Sequence, residues 1–188
     1  MDPLSDEKVL DSWKSNATPW TAAVREQRIE SRKLVTDRAV IDAVMSRKPR
    51  SVLDLGCGEG WLVRALANAG VPTVIGVDAI PALIDQARAA GGGEFGVASY
   101  EAIARGELDL TVDVAVANFA LIGKDAVDAL IHAVPRLLAT SGALVIQTLE
   151  CWVQLIVASG LTLVEVREPM HPMTGKPASV VFVAVAAD

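Results

Sequence analysis

The stretch Val52-Leu53-Asp54-Leu55-Gly56-Cys57-Gly58-Glu59-Gly60 decides how the chain is read. Ser51 to Leu55 is a short apolar run of the kind that forms a buried strand, and Gly56 stops it. Trp61 to Gly70 then repeats apolar residues at helical spacing and ends on a glycine. The motif is therefore the turn between a strand and a helix. Small residues there let a ligand approach the backbone, and the free amides of the helix N-terminus favour polar or anionic groups. The spacing is Gly-x-Gly-x-Gly, not the Gly-x-Gly-x-x-Gly of dinucleotide enzymes. Asp54 inside this turn would sit poorly beside a pyrophosphate and suits a cationic ligand better.

Outward from this turn the pattern repeats. Thr73 to Asp78 (TVIGVD) is a second strand, and Pro81 opens a helix that glycines close near Gly91. A weak strand near GEFGVAS, a short helix near Glu101 to Arg105 and a strand over Val112 to Asn118 follow. A helix over about Lys124 to Leu138 leads to a fifth strand, GALVIQTL. Apolar strands alternating with helices predict a parallel sheet covered on both faces. The rhythm then changes: LTLVEVREP and ASVVFVAVAA are strands joined by Met170 to Pro177 with no helix between them. They form a hairpin, so the last strand is expected to run antiparallel to the others. Ahead of Arg50, apolar positions such as Val24, Leu34, Ile41 and Val44 predict two or three helices carrying Trp13 and Trp20.

At 188 residues the chain has room for one domain, read as a helical cap over 1–50 on a core over 51–188. Its 52% hydrophobic content excludes disorder, and a net charge of −6 opposes the phosphate attraction that drives nucleic-acid binding. No apolar run approaches the ~20 residues that span a bilayer, and the acidic start MDPLSDE lacks the basic region of a secretory signal. A cytoplasmic protein without nucleic-acid or membrane partners is expected. Cys57 and Cys151 are too few for a structural zinc site, and no metal is expected.

Asp78 ends the second strand, where a carboxylate can accept hydrogen bonds from both hydroxyls of a ribose; the alternative is an N-cap for the helix at Pro81. With this residue in place, the sequence resembles the class I S-adenosylmethionine-dependent methyltransferases over about Ser31 to Ala187. VLDLGCGEG, VIGVD with its terminal acid, VDVAVAN and the closing hairpin match in order and spacing. The resemblance implies a Rossmann-like α/β sheet of order 3-2-1-4-5-7-6 with strand 7 antiparallel. It implies S-adenosyl-L-methionine as cofactor and in-line methyl transfer to a small-molecule acceptor, in a monomer or homodimer. Asp54, Gly56, Cys57, Gly58 and Gly60 would meet the methionine part and Asp78 the ribose, with Ala79 beside it and Ile80 packing on the adenine ring. The chain places Val97-Ala98-Ser99-Tyr100 where many members carry an Asp against the adenine, so Ser99 and Tyr100 are the candidates there. The alternative is that Ser99 caps the following helix.

Asn118 and Phe119 follow the fourth strand, at the acceptor end, without the Pro-Pro-aromatic signature of enzymes that methylate base or glutamine amino groups. Arg32, in Ile-Glu-Ser-Arg, is a candidate for the cofactor carboxylate, against a solvated residue beside Glu30 and Lys33. Trp13 and Trp20, with Asn118, are candidate substrate contacts; packing of an N-terminal helix is the alternative for the tryptophans. His171, in the hairpin loop, is a candidate general base because imidazole titrates near neutrality. Cys57 lies among acids that would raise its thiol. Similar sequences sharing W-x-x-N-A, I-E-S-R and N-F-A-L carry a lid segment after Gln-Thr-Leu, whereas here Gln147-Thr148-Leu149 runs straight into Glu150-Cys151-Trp152. A cofactor-binding protein with weakened catalysis and a partner or sensor role is therefore the second reading. An NAD-dependent oxidoreductase is the third.

Overall fold

A computed structural model describes residues 5–148 and 153–186. Seven strands make one sheet: β1 (Ser51–Leu55), β2 (Thr73–Asp78), β3 (Glu94–Val97), β4 (Val112–Asn118), β5 (Leu138–Thr148), β6 (Leu161–Arg167) and β7 (Val180–Ala186). Their order is 3-2-1-4-5-7-6. The first five pair in parallel, and β7 is antiparallel to both β5 and β6, as the hairpin predicts. The helices are α1 (Asp6–Arg25), α2 (Asp37–Met45), α3 (Trp61–Asn68), α4 (Pro81–Ala90), α5 (Tyr100–Ala104), α6 (Asp125–Ala133) and α7 (Val153–Ala158).

Alternation along each strand sends side chains to two cores. Leu53, Leu55, Ala117 and Ile146 pack with Leu130 and Ile131 of α6. Val52, Val114, Val116 and Val145 face the other way, onto Val40 and Val44 of α2 and Leu62 and Leu66 of α3. Strand order reverses between β1 and β4, because the chain builds outward on one side through β2 and β3 and then crosses to β4 and β5. At such a switch point the loops leave in opposite directions and open a crevice at the carboxyl ends of the strands.

Three local features differ from the sequence reading. The helix expected to run to Leu138 ends at Ala133, and Val134–Leu137 is a 3-10 turn. Pro135 is the cause, since its ring excludes the carbonyl four residues back and it has no N–H to donate. β5 starts earlier than Gly142: Leu138 pairs with Val112, and the register shifts before Ala143 pairs with Val114. The approach to α2 is a π turn, Arg32–Thr36, which brings both of its end residues to the buried side. The junction expected to lack a lid, Leu149 to Trp152, lies outside the described residues. Among the described residues no helix is long and apolar enough to cross a membrane.

Candidate active site

A cavity of about 390 Å3 opens at the switch point, within the range of small-molecule sites. Its floor is the turn after β1. Gly56 and Cys57 donate their amides to the carbonyl of Val77 at 2.8 and 3.0 Å, tying this turn to the end of β2. Gly56 has φ +76°, and a Cβ there would lie 2.6 Å from the Cβ of Ala120 and 2.8 Å from the hydroxyl of Tyr100, so no other residue fits. A Cβ on Gly58 would meet only Nε1 of Trp20, at 3.8 Å. The backbone there stands open to a ligand.

Asp78 connects the two turns. Its carboxylate accepts the Gly58 amide at 2.9 Å and the Ile80 amide at 2.9 Å. The N-cap of α4 is Ile80, with no side-chain cap, so the capping alternative for Asp78 does not hold. Burial raises the Asp78 carboxyl above the usual range, and the backbone amides work against that rise. Asp54, on the strand before the turn, is 2% exposed. Burial first and the nearby charge of Asp78 second push it up to about 8. A cation brought close would lower it again. Cys57 is buried, and burial with the charges of Asp54 and Asp78 pushes its thiol up, which leaves it inert as a nucleophile.

Arg32 lies along one wall. It is only 9% exposed, its Nε donates to Asp37 at 2.9 Å, and its guanidinium stacks 4.5 Å from the ring of Trp61. The solvated alternative is therefore overturned. The π turn also places Thr36 on this wall, where its hydroxyl is buried without a hydrogen-bond partner. Asn118 ends β4 in the cavity wall, and its Oδ1 is buried and unpartnered. Phe119 follows with φ +51°, a conformation uncommon for a bulky residue and associated with functional sites. The Tyr100 hydroxyl donates to the carbonyl of Ala120 at 2.9 Å. Ser99 caps α5, its Oγ accepting the Ala102 amide at 3.2 Å, while the residue still lines the cavity.

The roof is α1. Trp13 and Trp20 meet edge to face with centroids 5.4 Å apart, pack with Ile80 and Leu83, and line the cavity from above. The packing alternative is realised, and both rings also border the cavity.

Not every predicted residue reaches the cavity. Gly60 does not line it: φ there is +82°, and a Cβ would lie 2.6 Å from Cε1 of Phe95, so this glycine serves helix packing. Asp54 sits beneath the turn rather than in the cavity wall. His171 is not at the site; its loop follows β6, the far edge of the sheet, and its Nδ1 accepts the Met173 amide at 3.3 Å. The expected general base is corrected on that ground.

Two features escaped the sequence. Glu59, 1% exposed, is held by Arg25 at 2.8 Å and Arg64 at 2.7 Å, pinning the turn between α1 and α3. Asp6 accepts the amides of Lys124 and Ala126 at 2.8 and 2.9 Å. Arg64 lies within five residues of Glu59, but Arg25 and the 118-residue separation of Asp6 from Lys124 leave no local trace.

A family profile described as a methyltransferase domain matches residues 52–142. The structure aligns with magnesium protoporphyrin IX methyltransferase from Synechocystis, solved with bound S-adenosylmethionine, over all of both chains at TM-score 0.73 and 16% identity. The chain has the fold of the class I S-adenosylmethionine-dependent methyltransferases. The methyltransferase fold aligns equally with a TehB-like protein of Corynebacterium glutamicum, at TM-score 0.71 and 18% identity over 93% of this chain and 99% of that one. An N-methyltransferase from Bradyrhizobium japonicum, in complex with S-adenosyl-L-homocysteine, aligns at TM-score 0.66 and 16% identity over 80% and 85% of the two chains. No curated protein sequence matches the chain at a significant level.

Proposed function

We propose that the protein transfers a methyl group from S-adenosyl-L-methionine to a small-molecule acceptor, and that Asp78 at the mouth of the two turns carries this reading. Its two carboxylate oxygens each keep lone pairs beyond the backbone amides they accept, in the position where a ribose diol is received. The cavity also fits the rest of the cofactor. Open backbone at Gly58, a buried cation at Arg32 and unpartnered oxygens on Thr36 and Asn118 supply the contacts that a nucleoside joined to an amino acid requires.

Residue by residue, the turn of Gly56, Cys57 and Gly58 with Arg32 holds the amino-acid end, Asp78 with Ala79 and Ile80 the ribose, and Ser99 with Tyr100 the base. Asn118 and Phe119 stand between cofactor and acceptor, and Trp13 and Trp20 close the site from above. When bound, the cofactor supplies an activated methyl group on a sulfonium that departs as a neutral thioether. The chain's contribution is orientation and exclusion of water, which account for much of the barrier reduction in such a displacement. No base is required of His171. Apolar lining from Val9, Leu10 and Ile122, with Arg32 as the cavity's basic residue, supports a small and predominantly apolar acceptor. Incubation with methyl-labelled cofactor and a panel of small amines, phenols and carboxylates tests the reading; transfer to a member of the panel supports it. Binding of the cofactor with no transfer to any of them favours the second reading, a binding protein with weakened catalysis.

A further inference from the structure

We propose that α1 is a lid hinged at its C-terminal end and latched by Asp6, and that ligands of the cavity enter between the first turns of α1 and the loop leading into α6. The two ends of α1 are held differently. At the hinge, Ala17 and Thr21 are buried, and Arg25 donates to Glu59 at 2.8 Å and to the carbonyl of Gln86 at 3.0 Å. At the latch, no residue from 5 to 16 is buried. There Leu10 and Trp13 pack only partly buried against Ile80 and Leu83, and Asp6 accepts the amides of Lys124 and Ala126 at the N-terminus of α6.

These bonds serve both partners. α6 has no side-chain cap of its own at Lys124, so Asp6 satisfies amides that would otherwise lack partners. The loop before α6 carries Phe119, Ala120 and Ile122, which line the cavity opposite Val9 and Leu10 of α1. Releasing Asp6 therefore loosens both sides of one opening at once, while Arg25 and Glu59 keep the cofactor turn in place. Gly123 reports on the fit: a Cβ there would lie 2.7 Å from Oδ1 of Asp6. The inference rests on the proposed function only in assigning cofactor and acceptor to the cavity.

Amide hydrogen exchange on the ligand-free protein tests the latch without reference to any ligand. In Asp6→Ala, exchange over residues 6–16 and 119–127 is expected to rise on the order of tenfold, with residues 17–25 unchanged. Asp6→Asn, which keeps one capping oxygen, should fall between wild type and Asp6→Ala. Unchanged exchange, or a uniform rise along the whole of α1, overturns the latch. The gate is then tested by stopped-flow binding of S-adenosylhomocysteine: Asp6→Ala should raise association and dissociation rates together. A faster dissociation with unaltered association would instead make Asp6 a binding contact and overturn the gate. Failure of the wild-type protein to bind this ligand would overturn the assignment of the cavity, and so the gate, while exchange still decides the latch.

Discussion

The Gly58 amide donates to the carboxylate of Asp78 at 2.9 Å, so the turn after β1 and the end of β2 share one charged group. Asp78 consequently has two tasks: it shapes the turn and it remains available to a ligand. Asp78→Ala is expected to lower the unfolding free energy by about 2–4 kcal/mol, since two hydrogen bonds to a charged group are lost, and to weaken cofactor binding on the order of tenfold or more. Denaturant unfolding and calorimetry on the same preparation separate the two. A fall in stability with unaltered affinity would leave Asp78 a structural residue.

Asp54 makes the site sensitive to pH. Its folded-state pKa, raised to about 8, lies above the ordinary carboxylate value, so the native protein holds a proton that the unfolded chain has released. Its contribution to stability is fully present below about pH 4 and is lost as pH rises toward 8. A cationic ligand lowers that pKa and expels the proton. At pH 7, calorimetry in buffers of different ionisation heat should show proton release on binding S-adenosylmethionine, and less on binding 5′-methylthioadenosine, which carries neither the sulfonium nor the amino-acid end. Asp54→Asn should abolish the difference; a difference that persists would assign the proton elsewhere.

Arg32 combines an ion pair with Asp37 and a stacking contact on Trp61. Arg32→Ala should cost about 1–2 kcal/mol of stability, the arginine being buried while its partner Asp37 stays partly open to solvent. The larger loss is expected in affinity for S-adenosylhomocysteine, with affinity for 5′-methylthioadenosine preserved. Equal losses for the two ligands would show that Arg32 supports the wall and does not contact the amino-acid end.

Ser99 is the residue whose two readings the geometry allows together. As a cap for α5 it is worth about 1 kcal/mol, so Ser99→Ala should lower stability by that amount and change cofactor affinity less than about threefold. A marked loss of affinity at constant stability would give its hydroxyl to the adenine.

Much of this was legible in the sequence because it is encoded locally. The glycine turn at Gly56, the strand-end acid at Asp78 and the hairpin that reverses β7 are each a few residues long, and their order fixes the sheet. What escaped depends on distant partners. Asp6 caps a helix 118 residues away, and Arg25 meets Glu59 only after α1 has folded over the cavity. The π turn that buries Arg32 and Thr36 together has no periodicity of its own in the sequence. His171 misled for a related reason: its loop leaves the carboxyl end of a strand, but that strand is β6, separated from β4 by β5 and β7.

The central claim is that the cavity at the switch point between β1 and β4 is a site for S-adenosylmethionine. Titration calorimetry with S-adenosylhomocysteine and with NAD on the same protein tests it most directly. One S-adenosylhomocysteine per chain at micromolar affinity, weakened on the order of tenfold or more in Asp78→Ala and absent for NAD, is the predicted result. Tighter binding of NAD, or no heat from S-adenosylhomocysteine with a folded protein in the cell, would contradict it.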